Sequence, residues 1–151
     1  MRKLGIDYGD SRVGIAITDA LDITVQGLET IHHNGNDKII LKRLEEILKQ
    51  YEIDTFVIGM PINMNGTMGE RTKVTENFIH KLKCKFPKIQ IKTIDERLTT
   101  VAAHKTMNFL DVNKKKKKNI VDTISAVYIL EMYVNKIKKK INILPLPENK
   151  K

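Results

Sequence analysis

The first third of the chain alternates apolar and polar residues in a way that predicts three β-strands. In the first strand, alternation places Leu4 and Ile6 on one face and Asp7 on the other. A turn rich in glycine and polar residues separates this strand from an apolar segment over 13–18. A third strand is predicted over 23–31, so the chain opens as a series of strands joined by short turns.

The middle of the chain then switches between helical and strand periodicity. Apolar residues recur at three- and four-residue spacing over 37–51, which predicts an amphipathic helix. A continuously apolar strand follows over 55–59, typical of a buried parallel sheet. After a polar loop, a second helix is predicted over 70–85. Its predicted inner face consists of Val74, Phe78, Ile79 and Leu82.

The last third predicts a strand over 89–94, a helix over about 99–109 and a final helix from Ile120 to about Lys138. Five consecutive lysines, residues 114–118, come before the final helix. Three strands followed by alternating helices and strands predict one α/β domain, a five-stranded mixed sheet with helices on both faces.

Charge is distributed unevenly along the 151 residues. The chain carries 27 Lys+Arg and 18 Asp+Glu, a net charge of +9. Residues 1–75 hold 9 basic and 11 acidic residues, whereas residues 76–151 hold 18 basic and 7 acidic residues. Such a field attracts polyanions, with nucleic acid the first candidate and an anionic membrane surface the second. The competing interpretation is a compositional bias towards lysine, which supplies 22 of the 27 basic residues.

Several classes of protein are disfavoured by what the sequence lacks. A single cysteine, Cys84, excludes a disulfide framework and a cysteine-based zinc site. There is no apolar run of membrane-spanning length and no secretion signal, so a cytoplasmic protein without membrane contact is expected. P-loop, dinucleotide, zinc-protease and nucleophile-elbow motifs are absent. The histidines are expected mostly at the surface; they are His32, His33, His80 and His104.

Carboxylates close two of the predicted strands and begin the last helix. Asp7 ends the first strand, Asp95 and Glu96 end the fifth, and Asp122 lies just past the lysine run. Ligands of open α/β sheets bind at the carboxyl ends of parallel strands, so these side chains are expected to converge. Converging carboxylates raise one another's pKa, and Mg²⁺ or Mn²⁺ removes that penalty.

Two such ions about 4 Å apart can clamp both oxygens of an in-line phosphodiester displacement. The pattern therefore predicts a metal-dependent nuclease. Each carboxylate also has a simpler interpretation, as a turn residue, a helix cap or a first-turn residue. The alternation does not choose between Asp95 and Glu96, because it indicates only that they face opposite ways.

Four blocks of the sequence resemble the YqgF (RuvX) family, bacterial proteins of ribonuclease-H-like fold related to Holliday-junction resolvases. Residues 6–16 are similar to the family's D-x-G-x-x-R-x-G-x-A opening, and residues 59–71 resemble its loop signature. Residues 95–100 match a third block, and the lysine run with the start of the last helix matches a fourth. The resemblance implies a nuclease domain over 1–139 and a short basic tail over 140–151.

The resemblance also implies an acidic triad of Asp7, Glu96 and Asp122, and it selects Glu96 over Asp95. These residues are expected to be both catalytic and metal-binding, with Asp7 bridging two Mg²⁺ or Mn²⁺ ions. Further residues are expected to orient phosphates, to brace the carboxylates or to hold the nucleic acid backbone: Arg12, Asn63, Thr67, Arg71, Arg97, Lys114, Lys115, Lys116, Lys117 and Lys118. A solvated, mobile loop is the alternative for the lysine run.

The lead hypothesis is a hydrolase that cleaves structured RNA, processing the 5′ end of pre-16S rRNA in ribosome biogenesis, with precursor ribosomal particles as partners. The alternative within enzymes is a Holliday-junction resolvase acting on four-way DNA, which needs a homodimer for paired cuts. A non-catalytic RNA-binding protein is the alternative of another class, although aromatic residues for base stacking amount to only 5%. A nucleotide-hydrolysing actin-like domain is disfavoured, because 151 residues leave no room for a second lobe.

Overall fold

The computed structural model describes residues 1–62, 68–98 and 114–143, and within the last of these ranges the side chains of 123–138. In this part of the chain, five strands and three α-helices form an α/β fold. They are, in chain order, β1 (Arg2–Tyr8), β2 (Arg12–Thr18), β3 (Val25–His32), α1 (Asp37–Gln50), β4 (Ile53–Met60), α2 (Glu70–Lys85), β5 (Gln90–Asp95) and α3 (Lys114–Ile143).

The strands form one mixed sheet in the order β3-β2-β1-β4-β5. Short turns join β1, β2 and β3, so these strands run antiparallel. Helices connect the later strands, so β4 is parallel to β1 and β5 is parallel to β4. The predicted mixed sheet is confirmed. As a result, the carboxyl ends of β1, β4 and β5 lie at one edge.

One face of the sheet packs against α1 and α2. The predicted alternation of β1 is confirmed, since Leu4 and Ile6 are fully buried on this face with the apolar residues of both helices. The helix α1 begins after Asn36, whose side chain accepts a hydrogen bond from the Lys38 backbone N–H at 3.1 Å. We call this side the α1/α2 face.

The opposite side, which we call the α3 face, holds a smaller core. Ala126, Ile129 and Leu130 of α3 are fully buried there against strand residues. A Cβ at Gly5 would lie 2.8 Å from the Ala126 carbonyl oxygen and 2.9 Å from Leu130 Cβ. The backbone of α3 therefore lies almost directly on β1, and helices cover both faces as predicted.

The inner face of α2 differs from its prediction at one position. Phe78, Ile79 and Leu82 are buried as expected, but Val74 is 41% exposed. The buried positions of the first turns are Thr72 and Thr75, whose hydroxyls donate hydrogen bonds to the backbone carbonyls of residues 61 and 71. These bonds satisfy the buried hydroxyls, so the helix turns its threonines inward and its valine outward.

The last helix also differs from its prediction, because it extends over Lys114–Ile143 and not over 120–138. The lysine run is therefore helical, and the loop alternative for its backbone was wrong. Lysine has a good helix propensity, and the run contains no residue that would end a helix. Asp122 consequently lies beyond the first two turns, which rules out its interpretation as a first-turn residue.

The remaining boundaries of the described elements agree with the sequence-based predictions to within two residues. The helix predicted over 99–109 lies outside the described residues. Within the part of the chain that is described, none of the helices combines the length and the hydropathy required to cross a membrane.

Candidate active site

The carboxylate of Asp7 lies near the carboxyl end of β1, on the α3 face. It belongs to the same side of the strand as Gly5, and it pairs with Gly14 in the neighbouring β2. Asp7 is only 3% exposed. Burial of a carboxylate is costly unless hydrogen bonds or positive charge compensate it. The sheet thus holds a rigid acidic group at the edge where parallel strands end.

The side chain of Glu96 comes to the same face from the end of β5. The strand ends at Asp95, and a 3-10 turn over Glu96–Leu98 follows. A Cβ at Gly59 of β4 would lie 2.7 Å from Glu96 Oε1 and 3.1 Å from Glu96 Cγ. Because Gly59 has no side chain, the Glu96 carboxylate occupies the space above β4.

The sheet register brings these two carboxylates to the same place. Ile6 of β1 pairs with Ile58 of β4, so one further residue along each strand sets Asp7 beside Gly59. Neighbouring strands are about 4.8 Å apart. Asp7 and the Glu96 carboxylate therefore lie on one face, above adjacent strands and at one edge of the sheet.

Asp95 has a different environment from Glu96. Its carboxylate accepts hydrogen bonds from Arg97 Nη2 at 2.7 Å and from the Arg97 backbone N–H at 2.9 Å. Hydrogen bonds from the Arg97 side chain lower the pKa of Asp95 below its ordinary value, against a small effect of burial. The Asp95–Arg97 pair thus braces the turn that presents Glu96, while Glu96 itself points over Gly59.

Of the other predicted residues, Arg71 braces the loop that follows β1. Its guanidinium forms an ion pair with Asp10 and donates a hydrogen bond to the Tyr8 carbonyl at 3.0 Å. Arg12 begins β2, and its carbonyl accepts a hydrogen bond from the Gly9 N–H at 2.9 Å. A Cβ at Gly9 would lie 2.5 Å from that carbonyl oxygen, so the tight turn after Asp7 requires glycine.

Several predicted residues lie outside the described part of the site. Asn63 and Thr67 belong to segments that the structure does not describe. For Asp122 and the lysines of residues 114–118 only the helical backbone is described, and Asp122 precedes Ala126 by about one turn. Among the residues with described side chains, which do not include Asp122, no three metal-ligating groups form a cluster.

The sequence analysis missed His33, which was expected at the surface with the other histidines and is only 1% exposed. Its Nδ1 accepts a hydrogen bond from the Gly35 N–H at 3.0 Å, so Nε2 carries the proton and donates to the Gly9 carbonyl at 2.8 Å. The ring also stacks on Tyr8, with centroids 5.8 Å apart. His33 therefore fixes the turn that follows Asp7. The residues around His33 in the sequence indicate a turn, but they do not indicate that its imidazole is buried.

Tyr8 anchors the same strand end from the α1/α2 face. Its ring stacks on Phe78 at 4.3 Å, and its hydroxyl donates a hydrogen bond to Asp37 Oδ1 at 2.8 Å. Burial, together with the hydrogen bond to Asp37, raises the pKa of Tyr8. Lys81 holds the other Asp37 oxygen at 2.9 Å. Tyr8 is thus locked between two helices, while its neighbour Asp7 faces the opposite side.

Comparisons with known proteins identify the family of the chain and agree with its fold. A family model described as "RuvX: Holliday junction resolvase" matches residues 1–136. A protein of Ruminiclostridium cellulolyticum is 53% identical over 137 residues, which cover 91% of this chain and 96% of that protein. One of Acetivibrio thermocellus is 49% identical over 135 residues, which cover 89% and 96%. Both carry the name "Putative pre-16S rRNA nuclease".

Two solved structures share the architecture at low sequence identity. The RuvC of T. thermophilus in complex with a Holliday junction substrate superposes with a TM-score of 0.52 at 11% identity, covering 91% of this chain and 96% of that one. The fowlpox virus Holliday junction resolvase gives 0.53 at 12% identity, covering 91% and 99%. These likenesses establish the ribonuclease-H-like fold. The family match over residues 1–136 and the relatives at 53% and 49% identity show that this chain, a nuclease, belongs to the RuvX family.

Proposed function

We propose that the chain is a metal-dependent nuclease that cleaves structured RNA and processes the 5′ end of pre-16S rRNA. The observation that carries this proposal is that Asp7 of β1 and the Glu96 carboxylate, which lies above Gly59 of β4, share one face at the carboxyl edge of the parallel strands. A metal-dependent nuclease needs neighbouring carboxylates because they hold the cations beside the phosphodiester. The names of the relatives at 53% and 49% identity support the choice of rRNA.

The donor set fits Mg²⁺ or Mn²⁺. Both described donors are carboxylates, the oxygen ligands that these hard cations prefer, and Gly59 leaves the space into which Glu96 reaches. Asp122 would supply the third carboxylate from α3. When bound, two such ions supply Lewis-acid activation of water and stabilise the charge on the phosphate oxygens. The low exposure of Asp7 is consistent with a group that has a cation as its neighbour.

The residues of the chain hold this arrangement in place. The sheet fixes Asp7, and the Asp95–Arg97 pair fixes the turn that carries Glu96. Arg71 and His33 fix the loop after β1 from two sides. With no covalent enzyme intermediate in the proposed reaction, these residues act by positioning carboxylates and substrate.

The substrate is held chiefly by positive charge. The lysine run lies at the start of α3, three turns or fewer from Asp122 along the helix. Backbone contacts by such residues would give affinity that falls with salt and depends little on sequence. We assign phosphate contacts also to Arg12, Asn63 and Thr67, at the loops that follow β1 and β4.

The decisive experiment compares Asp7→Asn with the unaltered protein. The amide keeps the shape of the side chain but removes its charge, so cleavage should fall by about three orders of magnitude while RNA binding persists. The assay follows cleavage of a precursor-rRNA fragment with Mn²⁺, with Mg²⁺ and with a chelator, and thermal melting checks folding. Full activity of the variant would contradict the proposed site. Binding without cleavage under any metal would instead favour an RNA-binding protein.

A Holliday-junction resolvase is the second candidate, because the matching family is described as one. The same carboxylates would then act on four-way DNA, and paired cuts would require a homodimer. Precursor rRNA is preferred here, since the relatives with that name share about half of their residues with this chain, whereas the resolvase structures share 11–12%. Cleavage of both substrates at one salt concentration, with mapped cut positions, separates the two.

A further inference from the structure

A groove lies on the α3 face, between β5 and the C-terminal half of α3. Its volume is about 230 Å³, and it does not include the carboxylates described above. The residues that line it are Lys92, Thr93, Ile94, Tyr133, Lys136 and Ile137.

The groove combines positive charge with an aromatic ring. Lys92 and Lys136 are both exposed, and neither forms an ion pair with a residue in the described ranges. By contrast, Lys3 has its charge balanced by Asp22 at 2.9 Å and Asp54 at 3.9 Å. Two ammonium groups that line one groove without a carboxylate partner among the described residues repel each other, and an anion bound between them would remove that repulsion.

The position of the groove relates it to the candidate active site. Lys92 and Ile94 belong to the side of β5 that packs against α3, the face on which Glu96 reaches over Gly59. Lys92 precedes Glu96 by four residues, which corresponds to about 13 Å at roughly 3.3 Å per residue. Since a strand of duplex carries one phosphate per about 3.4 Å of axis, this distance spans about four nucleotides.

We propose that this groove is a second nucleic acid contact, which binds the phosphate backbone of the substrate about four nucleotides from the cleaved bond. Lys92 and Lys136 bind phosphate oxygens, and the Tyr133 ring packs against a sugar of the same backbone. The inference rests on the proposed nuclease function and adds to it a contact that sets how much flanking nucleic acid a substrate needs.

The test measures binding of a labelled RNA duplex in the presence of a chelator, so that cleavage does not interfere. In the variant K92Q/K136Q, two phosphate contacts are lost, and the slope of log affinity against log salt should fall by about 1.4 to 1.8. The variant K92R/K136R should keep the slope, because both charges remain. The matched control is K42Q/K49Q, which removes two exposed lysines of α1 on the opposite face and should leave the slope unchanged. Like the groove lysines, these two form no ion pair within the described ranges.

A series of shortened duplexes locates the contact. The unaltered protein should bind no more tightly than K92Q/K136Q when fewer than about four nucleotides remain on one side of the cleaved bond. Equal salt slopes for K92Q/K136Q and for the unaltered protein, which still binds and cleaves, would overturn the groove proposal and leave the nuclease function standing. If the unaltered protein neither bound nor cleaved nucleic acid, both proposals would fail.

Discussion

The two faces of the sheet differ in the size of the side chains that meet at its carboxyl edge. On the α1/α2 face, the Tyr8 ring stacks between those of Phe78 and His33, and hydrogen bonds tie Tyr8 to α1 and His33 to the turn after β1. On the α3 face, the strands present Gly5 and Gly59, where any side chain would collide with α3 or with Glu96.

This difference shows how one sheet combines stability with chemistry. Large rings bury apolar area and fix the ends of the strands, which stabilises the fold. Small residues on the other face leave room for carboxylates beside the backbone. Successive side chains of a strand point to opposite faces. Tyr8 therefore stabilises the fold on one face, while its neighbour Asp7 is available for chemistry on the other.

The largest expected effect is a loss of stability on removing an aromatic ring from the α1/α2 face. Phe78 is fully buried and contacts Tyr8, so Phe78→Ala should lower the free energy of unfolding by about 3–5 kcal/mol. Urea denaturation measures this change. At temperatures where the variant remains folded, its cleavage rate should stay close to that of the unaltered protein. A large loss of rate in the folded variant would contradict the division of roles between the faces.

A substitution that adds a single methyl group on the α3 face should lower the cleavage rate and leave the stability nearly unchanged. The Cβ introduced by Gly59→Ala would lie 2.7 Å from Glu96 Oε1 and 2.5 Å from Ile129 Cδ1, so the Glu96 carboxylate must shift. We expect the cleavage rate to fall roughly 100-fold, the effect of a displacement of about 1 Å in a catalytic group. Single-turnover kinetics measure it, and stability should change by only about 1 kcal/mol.

The control for this substitution is Gly35→Ala, on the turn that follows β3. Gly35 has a φ of 85° and no atom near its notional Cβ, so alanine there introduces backbone strain but no collision. Alanine keeps the backbone N–H that donates to His33 Nδ1, so the variant should lower stability by about 1 kcal/mol and leave the cleavage rate nearly unchanged. Equal losses of activity in both glycine variants would contradict the role assigned to Gly59.

The smallest effect on stability is expected from breaking the Asp95–Arg97 pair in the turn that presents Glu96. Because Arg97 lowers the pKa of Asp95 in the folded state, the pair adds stability above the unfolded pKa of about 3.9, and this contribution is lost as pH falls through the folded value. Arg97→Gln should therefore lower the stability only slightly near pH 7, because solvent screens an exposed ion pair. Thermal melting from pH 7 to pH 3 should show the two proteins converging in acid.

Much of the fold follows from local patterns in the sequence. Alternation predicted the faces of β1, and helical periodicity predicted α1 and most of α2, because burial on one side imposes a period of two or of 3.6 residues. The errors arose where that signal is weak. The lysine run has no apolar period, so the start of α3 was misplaced, and Val74 was assigned inward although two threonines take that side.

The candidate site was predicted less completely than the fold. The position of Asp7 at a strand end could be read from the sequence, but the choice of Glu96 over Asp95 came from a family resemblance. The structure gives a physical basis for that choice, since Arg97 engages Asp95 while Glu96 reaches over Gly59. The burial of His33 was missed, because the hydrogen bond from its Nε2 to the Gly9 carbonyl joins the turn after β3 to the turn after β1, and these turns are distant in the sequence.

The sequence by itself determined the strands, most of the helix boundaries, the uneven charge and the carboxylates available for chemistry, since each depends on residues close together in the chain. Only the tertiary structure decided which of these groups meet. The parallel register of β1 with β4 sets Asp7 beside Gly59, and the absence of a side chain there admits Glu96. Both contacts join residues more than 35 positions apart in the sequence. Periodicity and turn signals depend only on neighbouring residues, so they do not predict such contacts.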